Sequence, residues 1–311
     1  MKKKILIVGG TGFLGYHLAK KCIEKGWNVT SISTNKPKKI RFLSKVKYLI
    51  LDISKKKLIK KLIKFDYDYV VNFGGYVNHN EKLKTYQSHY VGCKNLADFF
   101  LGKKIESFIQ IGSCVEYGYN KSPQEENKIF NINKLKSTYG KAKLSATNYL
   151  LQKYKEKKFP CTILRLYLVF GPRQDFNRFI PSIIKGCLKD SLFPCSLGNQ
   201  FRDFLYVDDL VSAILKCLTN KNSHGEIINI GSGNPMQIRK IVLLIKNIIK
   251  KGKPDFGKIK LRKDEILKLF PNIKKAKKKI NWKPRFAFSE SIVKTINFYK
   301  KNNLGFKNLS R

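Results

Sequence analysis

The sequence predicts an α/β chain, a doubly wound parallel sheet with a smaller C-terminal α/β lobe. Three observations lead there. A glycine-rich turn, Gly9-Gly-Thr-Gly-Phe-Leu-Gly15, separates a short apolar run from a helical pattern. Beyond it, strand-like and helix-like stretches alternate with short connections as far as Ser113. Small or polar residues (Gly9, Ser33, Asp52, Gly74 and Gly112) close the successive strand-like runs, which is where ligands sit on such sheets.

The elements follow in order. Residues 5–8 form the apolar run of a buried parallel strand, and residues 13–25 carry a helical pattern. Between them Gly9 permits a tight turn, Gly12 lets the backbone approach a pyrophosphate, and Gly15 lets the helix pack on the sheet. The N–H groups at the helix N-terminus then face the phosphates. The turn is therefore read as a dinucleotide site built from Gly9, Thr11, Gly12, Phe13, Leu14 and Gly15.

Residues 27–34 read as strand two. The acid that commonly holds the adenosine ribose of NAD at the end of this strand is replaced by Ser33, and Lys36, Lys38, Lys39 and Arg41 follow. A missing carboxylate with added cations suits a 2′-phosphate, so NADP(H) is expected in preference to NAD(H). Residues 46–51 are strand three, ending at Asp52-Ile53, and 53–64 are helical. Residues 69–73 are strand four, with Phe73, Gly74 and Gly75 at its end in reach of a cofactor. Residues 83–101 form a helix and 107–111 form strand five, closed by Gly112-Ser-Cys-Val-Glu-Tyr-Gly118.

The composition excludes several classes. At 311 residues and 42% hydrophobic content, the chain can bury a sizeable core. Its longest apolar runs, 161–170 and Ile238–Ile249, are interrupted by Arg or Lys and fall short of the ~20 residues of a membrane span. Met1-Lys-Lys-Lys runs straight into strand one, so no signal peptide is expected. Seven scattered cysteines without C-x-x-C suggest no disulfide framework and no metal site, as fits a reducing cytoplasm. The net charge of +43 comes mostly from Lys spread along the whole chain, whereas groove readers cluster their charge and lean on Arg. It is read as compositional bias, with neither nucleic acid nor membrane as partner, although a polyanionic nucleotide substrate is attracted to such a surface.

The chemistry lies further along. Thr138-Tyr-Gly-Lys-Ala-Lys143 opens a helix running to about Lys157, with Tyr139 and Lys143 four apart on one face. A phenol with pKa ~10 is a poor acid–base group at neutral pH. A neighbouring ammonium favours the phenolate, so Lys143 is expected to draw the Tyr139 pKa down while also binding the nicotinamide ribose. Ser113 can hydrogen-bond the substrate oxygen that gains or loses the proton.

On these residues the chain resembles the extended short-chain dehydrogenase/reductases that modify nucleotide sugars. The resemblance covers nearly the whole sequence. It rests on GGTGFLG at 9–15, Leu51-Asp-Ile53, the segment 112–118, Tyr139-x-x-x-Lys143, Leu164-Arg165 through Phe170-Gly-Pro172, Gln200-Phe-Arg-Asp-Phe-Leu-Tyr-Val-Asp208, Asn229-Ile-Gly-Ser-Gly233 and Ile280-Asn-Trp-Lys-Pro284. It implies a Rossmann dinucleotide-binding domain over 1–170 and a mainly substrate-binding lobe over 171–311, with about 203–231 returning to the sheet. It also implies a catalytic triad of Ser113, Tyr139 and Lys143, with Asp52 and Ile53 at the adenine. Arg202 and Arg262 are implied on the substrate diphosphate, Glu265 on the nucleotide ribose, and Arg178 with Phe179 along the nucleotide pocket. A homodimer pairing through the helix of Tyr139 and the one before it is implied too. Three residues depart from the family pattern: His89 replaces an Asn, Val77 a polar residue near the nicotinamide, and Leu168 an Asn that contacts phosphates.

The resemblance leaves several reactions to weigh. Family dehydratases carry Asp-Glu after the catalytic Ser/Thr, where this chain has Cys114 and Val115. Glu116 lies one residue late and, on a strand, would face the other way. Enzymes acting at carbons 3 and 5 need a Cys–His pair, but Cys114 is out of register and reads as a buried filler. The expectation is an NADP(H)-dependent 4-ketoreductase acting on a nucleoside-diphosphate hexose. An NAD-dependent 4-epimerase is the alternative, and a catalytically inactive RNA-binding or scaffold relative is a minor one. A C-terminal lobe similar to CDP-abequose and CDP-paratose synthases favours the reductase.

Overall fold

The computed structural model describes residues 2–64, 66–127, 131–262 and 264–302. Its centre is a seven-stranded sheet: β1 (Lys4–Val8), β2 (Asn28–Ser33), β3 (Val46–Ile50), β4 (Tyr69–Asn72), β5 (Ser107–Ser113), β6 (Cys161–Leu166) and β7 (Glu226–Ile230). The order is β7-β6-β5-β4-β1-β2-β3 and every pairing is parallel. Strand order reverses between β1 and β4, so a crevice opens at their carboxyl ends.

Both faces of the sheet are covered, which is why β1, β4 and β6 read as near-continuous apolar runs. On one face Leu18, Ala19 and Cys22 of α1 (Phe13–Glu24) pack with Leu210, Ile214 and Cys217 of α7 (Val207–Leu218). On the other, Ile59 of α2 (Lys56–Leu62), Leu96 and Phe100 of α4 (Gly92–Phe100), and Ala146 and Leu150 of α5 (Thr138–Lys157) form a second cluster. A third cluster joins α6 (Phe179–Leu188), α8 (Ile238–Ile249) and α10 (Phe288–Lys301) through Ile184, Ile245 and Ile296. Trp282, beyond α9 (Lys274–Ile280), is buried on the first face and donates to the Ser212 hydroxyl at 2.8 Å.

Three boundaries differ from expectation. Strand five continues to Ser113, because it pairs with β6 as far as Leu166. The helix expected from residue 53 starts at Lys56, since Asp52 accepts the Ser54 N–H at 2.8 Å and holds a turn there. The helix expected over 83–101 begins as α3 (Lys82–Tyr86), passes through a π turn at Gln87–Val91 and resumes as α4. Among the described residues, no helix is long and apolar enough to cross a membrane.

Candidate active site

The glycine turn is shaped by close approaches. Gly9 has φ +78°, a left-handed conformation that glycine adopts without strain. A Cβ on Gly15 would lie 2.4 Å from the Gly9 carbonyl oxygen, and one on Gly10 would lie 2.3 Å from Ser31 Oγ. Gly10, to which sequence reasoning gave no role, is thus constrained too, by the Ser31 side chain where Gly15 meets backbone. Helix α1 starts after Gly12, its N-cap, with no side-chain cap and no acid in its first turn. The N–H groups of Phe13 and Leu14 therefore face outward, as an anion such as a pyrophosphate requires. These residues fit the phosphate end of a dinucleotide.

The adenosine side is more complicated. Ser33 Oγ accepts the Thr11 N–H at 3.3 Å and donates to the Ile32 carbonyl at 2.7 Å, tying β2 to the turn. Lys36 is exposed. Arg41 is buried and grips Asp175 with both guanidinium arms, at 3.1 and 3.2 Å, and Lys38 reaches the same carboxylate at 3.3 Å. Burial alone would raise the Asp175 pKa, but Arg41 and Lys38 outweigh it and hold the carboxyl below its usual range. Two of the cations read as 2′-phosphate ligands are therefore neutralised by an acid that lies far off in sequence.

Asp52 caps the turn after β3. Ile53, expected at the adenine, turns its side chain into the core: a Cβ on Gly92 would lie 2.7 Å from it, and its carbonyl accepts from Asn95 at 3.2 Å. Phe73 backs Gly9, whose Cβ would stand 3.1 Å from the Phe73 carbonyl carbon. Gly74 N–H donates to Asn72 Oδ1 at 2.9 Å. Gly75 has no room for a side chain, because a Cβ would lie 1.8 Å from the His89 ring. His89 sits in the π turn, where helix irregularity often marks function. Its Nε2 lies 3.2 Å from the Tyr76 carbonyl. Burial, with Lys143 adding to it, pushes its pKa down to about 2.

Ser113, Tyr139 and Lys143 converge at the end of β5. Lys143 is buried and donates to the Ile111 carbonyl at 2.7 Å, with Nζ 5.9 Å from the Tyr139 ring centroid. A buried chain of polar groups stands behind it. Asn72 donates to Gln110 at 2.8 Å, and Gln110 donates to the same Ile111 carbonyl at 2.9 Å. Asn72 and Gln110 escaped the sequence reading, although polar side chains inside such apolar strands were the signal that could have found them. The rings of His79 and His89 flank the phenol, His79 stacked at 3.9 Å and His89 edge-on at 4.9 Å.

The expectation that Lys143 draws the phenol down is not met. Burial dominates and pushes Tyr139 up to about 12, opposed mainly by the Ser113 hydroxyl and weakly by Arg178. Burial also pushes Lys143 down to about 8.

The residues after Ser113 form a short 3₁₀ turn, Cys114–Tyr117, and not a continued strand. Glu116 is therefore not turned away as a strand residue would be. It reaches back to the Ser113 N–H at 2.7 Å and binds Arg165 and Thr147 with its other oxygen. It is fully buried and engaged, so it is removed from acid–base work. Cys114 is buried too, its thiol pushed up to about 12, as a filler residue should be.

On the far side, Arg178 precedes α6 and is near enough to influence both Tyr139 and His79. Phe179 packs on Phe204 with centroids 5.7 Å apart. Arg202 and Glu265, expected to hold different parts of a substrate, are ion-paired with each other. Two backbone carbonyls, Phe201 at 2.9 Å and Leu267 at 3.4 Å, also take the Arg202 guanidinium. Arg262 is exposed at the start of the turn that carries Glu265, its carbonyl accepting the Glu265 N–H at 3.1 Å. Asp203, beside Arg202, is fully buried and gathers the Ser232 and Gly233 N–H groups at 2.7 Å each, fixing the loop after β7.

Comparison with known proteins gives the family and the fold. The chain is 30% identical over 316 residues to a putative UDP-glucose 4-epimerase of Methanocaldococcus jannaschii, covering 96% of this chain and 99% of that one. It is 24% identical over 304 residues to the CDP-abequose synthase of Salmonella muenchen, covering 95% and 98%. The UDP-glucose 4-epimerase of Thermotoga maritima, solved with UDP-glucose, superposes with a TM-score of 0.89 at 25% identity over 96% of this chain and 99% of that one. An epimerase of Methanothermobacter thermautotrophicus gives 0.91 at 22% identity over 98% and 94%, a likeness of fold. A family model described as the NAD dependent epimerase/dehydratase family matches residues 5–231, and with the glycine turn and the Ser113–Tyr139–Lys143 cluster in place the chain belongs to that family of enzymes.

Proposed function

We propose that this chain catalyses hydride transfer at carbon 4 of a nucleoside-diphosphate hexose, with 4-epimerisation as the net reaction. The observation that carries it is the convergence of Ser113, Tyr139 and Lys143 at the end of β5, while Cys114 and Glu116 are sealed off from the acid–base work other outcomes need. When bound, a nicotinamide supplies hydride exchange. Gly9, Thr11, Gly12, Phe13, Leu14 and Gly15 hold its pyrophosphate end, with Ser33, Lys36, Asp52 and Ile53 toward the adenosine and Phe73, Gly74 and Gly75 toward the ring. Tyr139 exchanges the proton with the sugar 4-oxygen. Held up at about 12, the phenol carries its proton at neutral pH, the form that donates to a ketone oxygen. Ser113 orients that oxygen, and Lys143, anchored on the Ile111 carbonyl, fixes the ribose. Arg202 and Arg262 grip the diphosphate, Glu265 the ribose of the base, and Arg178 and Phe179 line the pocket contributed mainly by residues 171–311.

Epimerisation with NAD(H) is favoured by the 30% identity to a putative 4-epimerase along the whole chain, and by Asp175 holding Arg41 and Lys38. The 4-ketoreductase with NADPH, which the sequence alone favours, keeps Ser33 and the exposed Lys36 as support, with the similarity to CDP-abequose synthase. Leu83 and Tyr86, 70% and 39% exposed on α3, support pairing into a homodimer across that helix and α5. The decisive experiment identifies the dinucleotide that copurifies and then assays UDP-glucose without added cofactor. Retained NAD and UDP-galactose formation support epimerisation, whereas an empty protein that consumes NADPH with a nucleoside-diphosphate 4-keto sugar overturns it. Tyr139→Phe should lower turnover by at least ~10³-fold while leaving cofactor binding intact.

A further inference from the structure

The segment 172–178 reaches from the C-terminal side of β6 to the outer edge of the cofactor turn. Pro172 offers its carbonyl to His17 Nε2 at 2.9 Å. The Arg173 guanidinium lies 5.0 Å over the Tyr16 ring and donates to the Ile40 carbonyl at 2.8 Å. Both contacts press the segment against α1 and against the loop that follows β2. That loop begins at Ser33, which touches the glycine turn through Thr11, and it carries Lys38 and Arg41. Asp175 meets both cations there: Arg41 through two hydrogen bonds at 3.1 and 3.2 Å, and Lys38 at 3.3 Å. Arg41 is only 4% exposed: its two terminal nitrogens are taken by Asp175 and by the Arg173 carbonyl at 3.3 Å, while its buried Nε has no hydrogen-bond partner among the described residues.

We propose that Asp175 sets the cofactor preference: a carboxylate lent from a distant segment withdraws Lys38 and Arg41 from the adenosine 2′ position and makes this chain take NAD(H) over NADP(H). The inference rests on reading Gly9 to Gly15 as the dinucleotide site. It replaces the acid missing from β2 with one that acts indirectly. A 2′-phosphate, with a charge of about −1.5 to −2, must take the guanidinium fork from Asp175 and then lie beside the carboxylate it has displaced. Both steps are unfavourable, since like charges at close quarters repel and the half-buried Asp175 carboxylate loses its bidentate partner. A ribose 2′-hydroxyl requires neither step.

The test is a titration of the purified protein with NADH and with NADPH, read by nicotinamide fluorescence, with no substrate present. Wild type should bind NADH about tenfold or more tighter than NADPH, and Asp175→Asn should tighten NADPH about tenfold while moving NADH less than about threefold. Arg41→Gln alone should leave NADPH binding at the wild-type value, because that cation is already engaged. The double variant Arg41→Gln/Asp175→Asn should lose the gain. Melting curves check that each variant is folded, and Arg41→Gln stands as an independent measurement. If Asp175→Asn shifts both dinucleotides equally or neither, if the double variant keeps the gain, or if Arg41→Gln alone weakens NADPH tenfold, the inference fails. A wild type that binds neither dinucleotide sinks the reading of the glycine turn itself.

Discussion

Two Arg–Glu pairs lie near the same site, and they differ in what surrounds them. Arg165 and Glu116 have side chains 4% and 0% exposed, and the guanidinium approaches one carboxylate oxygen at 3.0 Å. Both oxygens of Glu116 are engaged: Ser113 N–H on one, Thr147 and Arg165 on the other. The Arg165 guanidinium also covers the Tyr117 ring at 4.2 Å. Arg202 and Glu265 are 11% and 24% exposed, and Arg202 divides its donors between Glu265 and two carbonyls. The same chemistry therefore serves two ends. The sealed pair is a strut that holds Ser113, and the open pair, in the function proposed above, is a guanidinium whose carboxylate partner a diphosphate displaces.

The largest expected effect separates the two. Arg165→Met leaves Glu116 as a buried, uncompensated charge and should cost about 3–5 kcal/mol in urea unfolding. Arg202→Met, where the stranded Glu265 is 24% exposed and reaches water, should cost less, about 1–2 kcal/mol. Equal losses would erase the distinction.

A second prediction follows from Lys143, where Glu116 is the leading influence resisting the fall to about 8. Between about pH 8 and the ordinary 10.5, the unfolded chain keeps this proton and the native chain does not, so stability from this group rises with pH across that window. Against wild type, Lys143→Met should remove a rise on the order of 3 kcal/mol between pH 7.5 and 10.5. Denaturation midpoints measured across that range check it, and parallel curves for the two proteins would refute it. Glu116→Gln should carry the lower edge of the window below 8.

How far the sequence could be read depends on the range of the interactions. The glycine turn was legible because its constraints act within a few residues: Gly9, Gly12 and Gly15 answer to a single strand–turn–helix corner. The parallel alternation was legible for the same reason. Asp175 was not, because its partners are Lys38 and Arg41 and only the packing of segment 172–178 against α1 brings them together. Nor was the protonation of Tyr139. Spacing on a helix places Lys143 near the phenol, but the balance between charge and burial depends on Ile111, Ser113 and the flanking His79 and His89 rings. The role of Glu116 was half legible: its offset from the dehydratase position shows in the sequence, but the turn that folds it inward, in place of the expected strand, does not.

The smallest effect is the most discriminating for the open pair. In the substrate-holding role proposed above, Glu265 has two consequences for a nucleoside diphosphate, and they oppose each other. As a partner of Arg202 it competes with the diphosphate for the guanidinium, so losing it favours binding. As a hydrogen-bond acceptor for the ribose it contributes to binding, so losing it disfavours the nucleotide. Glu265→Gln should therefore change UDP affinity by less than about threefold, while inorganic pyrophosphate, which has no ribose, should bind about three- to tenfold tighter. Arg202→Gln should weaken both ligands about tenfold or more. Calorimetric titration of each ligand into each variant gives the ratio directly. Should Glu265→Gln leave pyrophosphate unchanged, the carboxylate is not the partner that the diphosphate displaces. Arg202 would then be a second strut like Arg165, held for the sake of the turn at residues 262–265.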